Sequence, residues 1–103
     1  MKPFADLEPK EYDVLLNALC QPVILKIGLK KDLYQDGKHS SVFVSGSPQE
    51  NDNTLQNLDK EAFYFCYSAN GKLGEEVCGK LATMGMNRPT NLRGGVERLG
   101  ENF

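Results

Sequence analysis

Apolar positions along the chain follow two spacings. In "DLEPKEYDVLLNALC", Tyr12, Leu15, Leu16 and Leu19 recur at i, i+3, i+4 and i+7, one face of a helix, with Pro9 suited to its first turn. "PVILKIG", residues 22 to 28, is a β-branched apolar run bounded by Pro22 and Gly28, which predicts a buried strand. "AFYFCY" predicts a second, aromatic-rich buried strand with Cys66 at its carboxyl end. Helical spacing returns at Leu73, Val77, Leu81 and Met84, with Gly85 and Pro89 as stop signals.

The stretch from Leu29 to Lys60 is less regular. It predicts a turn at "QDGKHSS", a short strand over Ser41 to Val44, and a surface loop at "SGSPQENDNT". "LQNLDK" fits a short helix or a continuation of that loop. Near the carboxyl end, "TNL" predicts a strand, "RGG" a turn and "VERLGENF" a last short helix. Strands alternating with helices predict an α/β fold over residues 1–103: one domain with a central, mainly parallel β-sheet and helices on both faces.

Composition narrows the class. A chain of 103 residues has the length of one domain, which buries roughly two-thirds of its unfolded surface. No apolar run approaches the roughly 20 residues that span a bilayer. The start, "MKPFADLEPKEYDVLL", lacks the apolar centre and cleavage site of a secretory signal, so a cytoplasmic location is expected. The net charge of −2 and pI near 5.3 give no general attraction for nucleic acid or membrane, and neither is expected as a partner. Three cysteines, Cys20, Cys66 and Cys78, without C-x-x-C spacing, fit neither a disulfide framework nor a zinc site. The single histidine, His39, reads as a turn residue completing a hydrogen bond.

Candidate chemistry concentrates at "CYSANGK", residues 66 to 72. A turn entering a helix collects backbone N–H groups, because the first four donors of a helix have no intrahelical partner. Asn70 and Gly71 tolerate positive φ and let successive amides point inward, while the helix dipole adds partial positive charge. That field favours a thiolate, the nucleophilic form of cysteine, at Cys66. Lys72 is a cation in the first helical turn, unfavourable against the dipole unless an anion sits nearby, although Glu75 and Glu76 can satisfy that end locally. The plainer alternative is a buried cysteine packing as a small hydrophobe.

"YFCYSANGKLGEEVCGKLATMGMNRPTNLRGGVERL" resembles the carboxyl-terminal half of a single-domain rhodanese, a thiosulfate sulfurtransferase. That family runs strand, catalytic cysteine, anion-binding loop, helix ending in a Gly turn, strand, and a Leu-x-Gly-Gly turn before a helix. Cys66 falls on the catalytic position, Gly85 on the helix end, and Leu92, Gly94 and Gly95 on the Gly-Gly turn. "FADLEPKEYDVLL", "VILKIG" and "LYQDGKHSS" look similar to the first helix, first core strand and Tyr-x-x-Gly-His segment. The resemblance implies a rhodanese-like domain in which Cys66 takes a sulfane sulfur from thiosulfate or a similar small anionic donor. As a persulfide it would pass that sulfur to cyanide or to a thiol acceptor, a small molecule or a thioredoxin-like protein. Tyr67, Ser68, Ala69, Asn70, Gly71 and Lys72 would bind the substrate, with no cofactor or metal.

The chain also departs from the family. Lys26 and Gly28 stand where an Asp and an Arg usually follow the first strand, Lys38 separates Gly37 from His39, and Ala69 replaces a common loop Gly. Two alternatives therefore stand beside the enzyme: a rhodanese-like interaction module of weak or absent activity, and a related cysteine phosphatase suggested by the C-x5-K spacing of Cys66 and Lys72. Lysine lacks the bidentate geometry that phosphoryl transfer takes from arginine.

Overall fold

The computed structural model describes residues 3–19, 21–29 and 40–96. Cys20, residues 35–39 of the predicted turn, and the predicted last helix beyond Val96 lie outside them. Among the described residues five strands form one sheet: β1 (Ala5–Leu7), β2 (Val23–Ile27), β3 (Ser40–Val44), β4 (Phe63–Tyr67) and β5 (Asn87–Leu92). The order is β1-β5-β4-β2-β3 and every pairing is parallel. Among the described residues three helices, α1 (Pro9–Ala18), α2 (Pro48–Gln56) and α3 (Lys72–Thr83), cover it. The expected parallel α/β domain is the one observed.

Side-chain alternation divides the core between the two faces of the sheet. Ile24, Phe65 and Leu92 pack against Tyr12 and Leu16 of α1. Leu25, Ile27, Val44, Tyr64 and Cys66 point the other way, toward Leu55 of α2 and Val77, Cys78 and Leu81 of α3. Each fully buried large side chain contributes roughly 1.5–3 kcal/mol by leaving water. Tyr12 ties the first face together: its ring meets Phe65 edge-on at 5.3 Å and stacks on Tyr67 at 5.4 Å. Its hydroxyl donates to the Cys66 carbonyl at 3.3 Å.

Two expectations need correction, and one strand was not expected. The stretch read as a surface loop folds as α2, with Pro48 in its first turn and Asn51 and Leu55 turned inward. Only those two side chains are buried along it, too few to make a periodic signal. β1 has three residues and no pattern of its own; it is held by pairing with Thr90 to Leu92 of β5. Pro89 does not end α3 but lies inside β5, where the register shifts opposite Phe63 to Phe65, and an irregularity is where a strand tolerates a residue without an N–H. Gly85, at φ 84°, does follow the end of α3. Among the described residues no helix is long and apolar enough to cross a membrane.

Candidate functional site: the loop between β4 and α3

β4 delivers the chain to the carboxyl edge of the sheet, and residues 68–71 turn it into α3. Cys66, however, lies one residue inside the strand, paired across the sheet with Leu25 of β2 and Asn91 of β5. It shares the face of Tyr64, so its side chain enters the core beneath α3 and is 0% exposed. Cys78, one helical face above it, donates its S–H to Cys66 Sγ at 3.3 Å. Burial, followed by this contact with Cys66, pushes the Cys78 thiol well above its usual range. Both are free thiols in an apolar setting, which is the environment of an inert cysteine.

The loop's donors converge two residues further on. Ser68 Oγ accepts the N–H of Gly71 and the N–H of Gly74, each at 3.1 Å. Asn70 Oδ1 accepts the N–H of Lys72 at 3.0 Å, an Asx-type turn, and Gly71, at φ 91°, supplies the left-handed residue before the helix. The amides of Gly71, Lys72 and Gly74 are therefore already capped by the loop's own oxygens. Strand alternation turns the sulfur of Cys66, the expected nucleophile, into the core beside Val77 and Cys78. Of the two ends of the C-x5-K spacing, Cys66 is buried and Lys72 exposed.

The other expected site residues divide by burial. Ser68 and Gly71 are buried; Ala69, Asn70 and Lys72 are exposed at the carboxyl end of the sheet. Tyr67 does not line the loop. It packs on the α1 face against Tyr12.

The Gly-Gly turn lies directly against the loop. A Cβ on Gly95 would come within 2.5 Å of the Ala69 carbonyl and of Gly71 N, and one on Gly71 would meet Gly94 N at 2.9 Å. Val96 N donates to the Ser68 carbonyl at 2.8 Å, fastening turn to loop. These contacts are between backbones, which is why glycine occupies both sides.

Comparison with known protein families, with curated proteins and with solved structures finds no match. The site must be read from its own geometry.

Sequence reasoning missed three contributors. Asn91, 0% exposed in β5, reaches the loop from beside Cys66. Its Nδ2 donates to Asp6 Oδ1 at 3.0 Å and to the Gly71 carbonyl at 3.4 Å. Its Oδ1 has no hydrogen-bond partner among the described residues and rests against Gly74, where a side chain on that residue would stand. Asp6, whose side chain is 7% exposed, also takes Arg93 Nε at 3.4 Å, and Arg93 reaches Glu8 at 3.2 Å. Those contacts, Glu8 first and then Asp6, raise the Arg93 guanidinium further above its usual value. An available signal was the parity of β4: counting by two from Tyr64 puts Cys66 on the α3 face and leaves Ser68 as the first polar side chain beyond it. Lys26 is the remaining surprise, a lysine only 5% exposed in β2, in register with Tyr67. Among the described residues no group of histidine, cysteine and acidic side chains is arranged to hold a metal.

Proposed function

We propose that this chain is a rhodanese-like domain that acts as an interaction module in the cytosol and does not carry sulfur as a persulfide. The observation that carries the reading is the capture of the Gly71 and Gly74 amides by Ser68 Oγ. Anion stabilisation by such a loop depends on donors left free for the anion, and here an internal hydroxyl holds two of them. The depth of Cys66 supports the same conclusion, because a persulfide on it would place a charged sulfur in the apolar space filled by Cys78 and Val77. The parallel α/β architecture and the contact between the loop and the Gly-Gly turn are consistent with the family resemblance. The exposed Ala69, Asn70 and Lys72 form the face offered to a partner.

Thiosulfate:cyanide turnover tests the reading. The native protein is expected to release thiocyanate no faster than Cys66→Ala. Turnover that disappears in Cys66→Ala would restore the sulfurtransferase reading, with a small anionic donor and a thiol or cyanide acceptor.

A further inference from the structure

The β4–α3 loop is built around one atom, and that atom is not a sulfur. Ser68 Oγ sits at the amino end of a twelve-residue helix and receives two amide hydrogen bonds. A second group points into the same space. Asn91 Oδ1 is fully buried, has no hydrogen-bond partner among the described residues, and lies over Gly74. From the position of an added Gly74 Cβ, Ser68 Oγ is 3.2 Å away and Asn91 Cγ 3.1 Å. The two side chains thus approach the same side of Gly74, where an acceptor has been left without a donor. Buried acceptors are rarely left so, and this one stands beside the two amides that Ser68 Oγ holds, within reach of a donor carried by residue 68.

We propose that residue 68 is the position at which this loop can hold an anionic nucleophile, and that Ser68 keeps it silent with an oxygen that does not ionise. A thiol has a longer bond and a larger terminal atom than a hydroxyl, so one at position 68 reaches further into the space shared with Asn91. While protonated it supplies Oδ1 with a donor; once ionised it takes the N–H groups of Gly71 and Gly74. The charged groups around it are Lys72 and Glu75 in the first turns of α3, Asp6 behind Asn91 on β1, and Arg93, which is paired with Asp6. Two amides, the helix end and Lys72 favour the anion; burial of the position, 1% exposed, Glu75 and the Asn91 oxygen oppose it, and the two amides are what distinguish it from the equally buried Cys66.

The position itself rests on geometry alone; only thiosulfate as probe rests on the rhodanese-like reading. With Ser68→Cys, the thiolate attacks the outer sulfur of thiosulfate. A new S–S bond forms, the bond from that sulfur to the sulfonate breaks, and sulfite leaves with the electron pair. Cyanide then takes the terminal sulfur as thiocyanate and the thiolate returns. No external oxidant or reductant is required.

The test is made on Ser68→Cys in a Cys20→Ser background. Thiolate ultraviolet absorbance is followed against pH, relative to Cys20→Ser alone, and mass spectrometry with peptide mapping follows incubation with thiosulfate. The expected result is ionisation below the free-thiol value of about 8.5 and one added sulfur atom at position 68. Early ionisation without sulfur gain would keep the position and overturn the choice of substrate, hence the rhodanese-like reading. Ionisation at or above the free-thiol value would overturn the position. Should Ser68→Cys fail to fold, Ser68→Ala frees the two amides: titrated bromide, a single-atom anion, is then expected to shift the Gly71 and Gly74 amide resonances saturably, and not in the parent. Unmoved resonances would overturn the proposal.

Discussion

Cys66 Sγ accepts the Cys78 S–H at 3.3 Å, and both side chains are 0% exposed. A pair in this position behaves as packing, which orders the effects of substitution. Cys66→Ala removes one buried atom and is expected to cost about 1 kcal/mol. Cys66→Ser, the closer mimic in shape, places a hydroxyl among apolar neighbours and is expected to cost more, about 1–3 kcal/mol. Urea denaturation decides: a serine variant as stable as the parent would mean that residue 66 has access to water.

Two glycines of α3 are predicted to respond in opposite directions. Gly79 has nothing within 4 Å of an added Cβ, so Gly79→Ala gains helix propensity and is expected to stabilise by roughly 0.5–1 kcal/mol. Gly74→Ala gains the same propensity but drives its methyl into Asn91 Oδ1. It is expected to lose stability on the order of 2 kcal/mol, and to recover part of it when combined with Asn91→Ala. Additive effects in that double variant would remove the contact from the account.

The backbone packing between loop and turn predicts that Gly95→Ala is among the most damaging single changes. Gly95 combines φ 69° with atoms of Ala69 and Gly71 at 2.5 Å from an added Cβ, and those atoms are backbone that cannot rotate away. Loss of thermal stability well beyond that of a surface substitution, together with shifted Ser68 and Gly71 amide resonances, is the expected result. A silent Gly95→Ala would show that turn and loop are not in contact.

Alkaline pH reports on the other end of β4. Tyr64 donates to the Asp59 carbonyl at 2.6 Å, and burial first, then the Asp59 charge, raise its phenol above the usual 10.0. The unfolded chain therefore ionises first. The contribution is fully present below 10.0 and is lost as pH rises through the higher folded value. The urea midpoint of the parent is expected to fall more steeply above that pH than the midpoint of Tyr64→Phe. Parallel curves would contradict the assignment.

Much of the architecture was legible because it obeys simple periods. Tyr12 and Leu16 at helical spacing, the apolar run from Val23 to Ile27 and the helix carrying Val77 and Leu81 each bury one continuous surface. α2 was hidden because it buries only Asn51 and Leu55, and β1 because three residues carry no period and are placed by a partner more than eighty residues away. At the candidate site the loop residues were legible from Asn70 and Gly71, whose turn chemistry is local. The role of Cys66 was not, because one step along a strand reverses the direction of a side chain, so ending a strand and facing its loop are different properties. Asn91 and Asp6 reach the loop only through sheet pairing.

The central claim is that Cys66 belongs to the core and that Ser68 holds the donors of the loop. Incubating the native protein with thiosulfate, then measuring intact mass and mapping peptides without reduction, tests it most directly. The account predicts an unchanged mass and an unmodified Cys66; one added sulfur atom on Cys66 in the folded protein would contradict it.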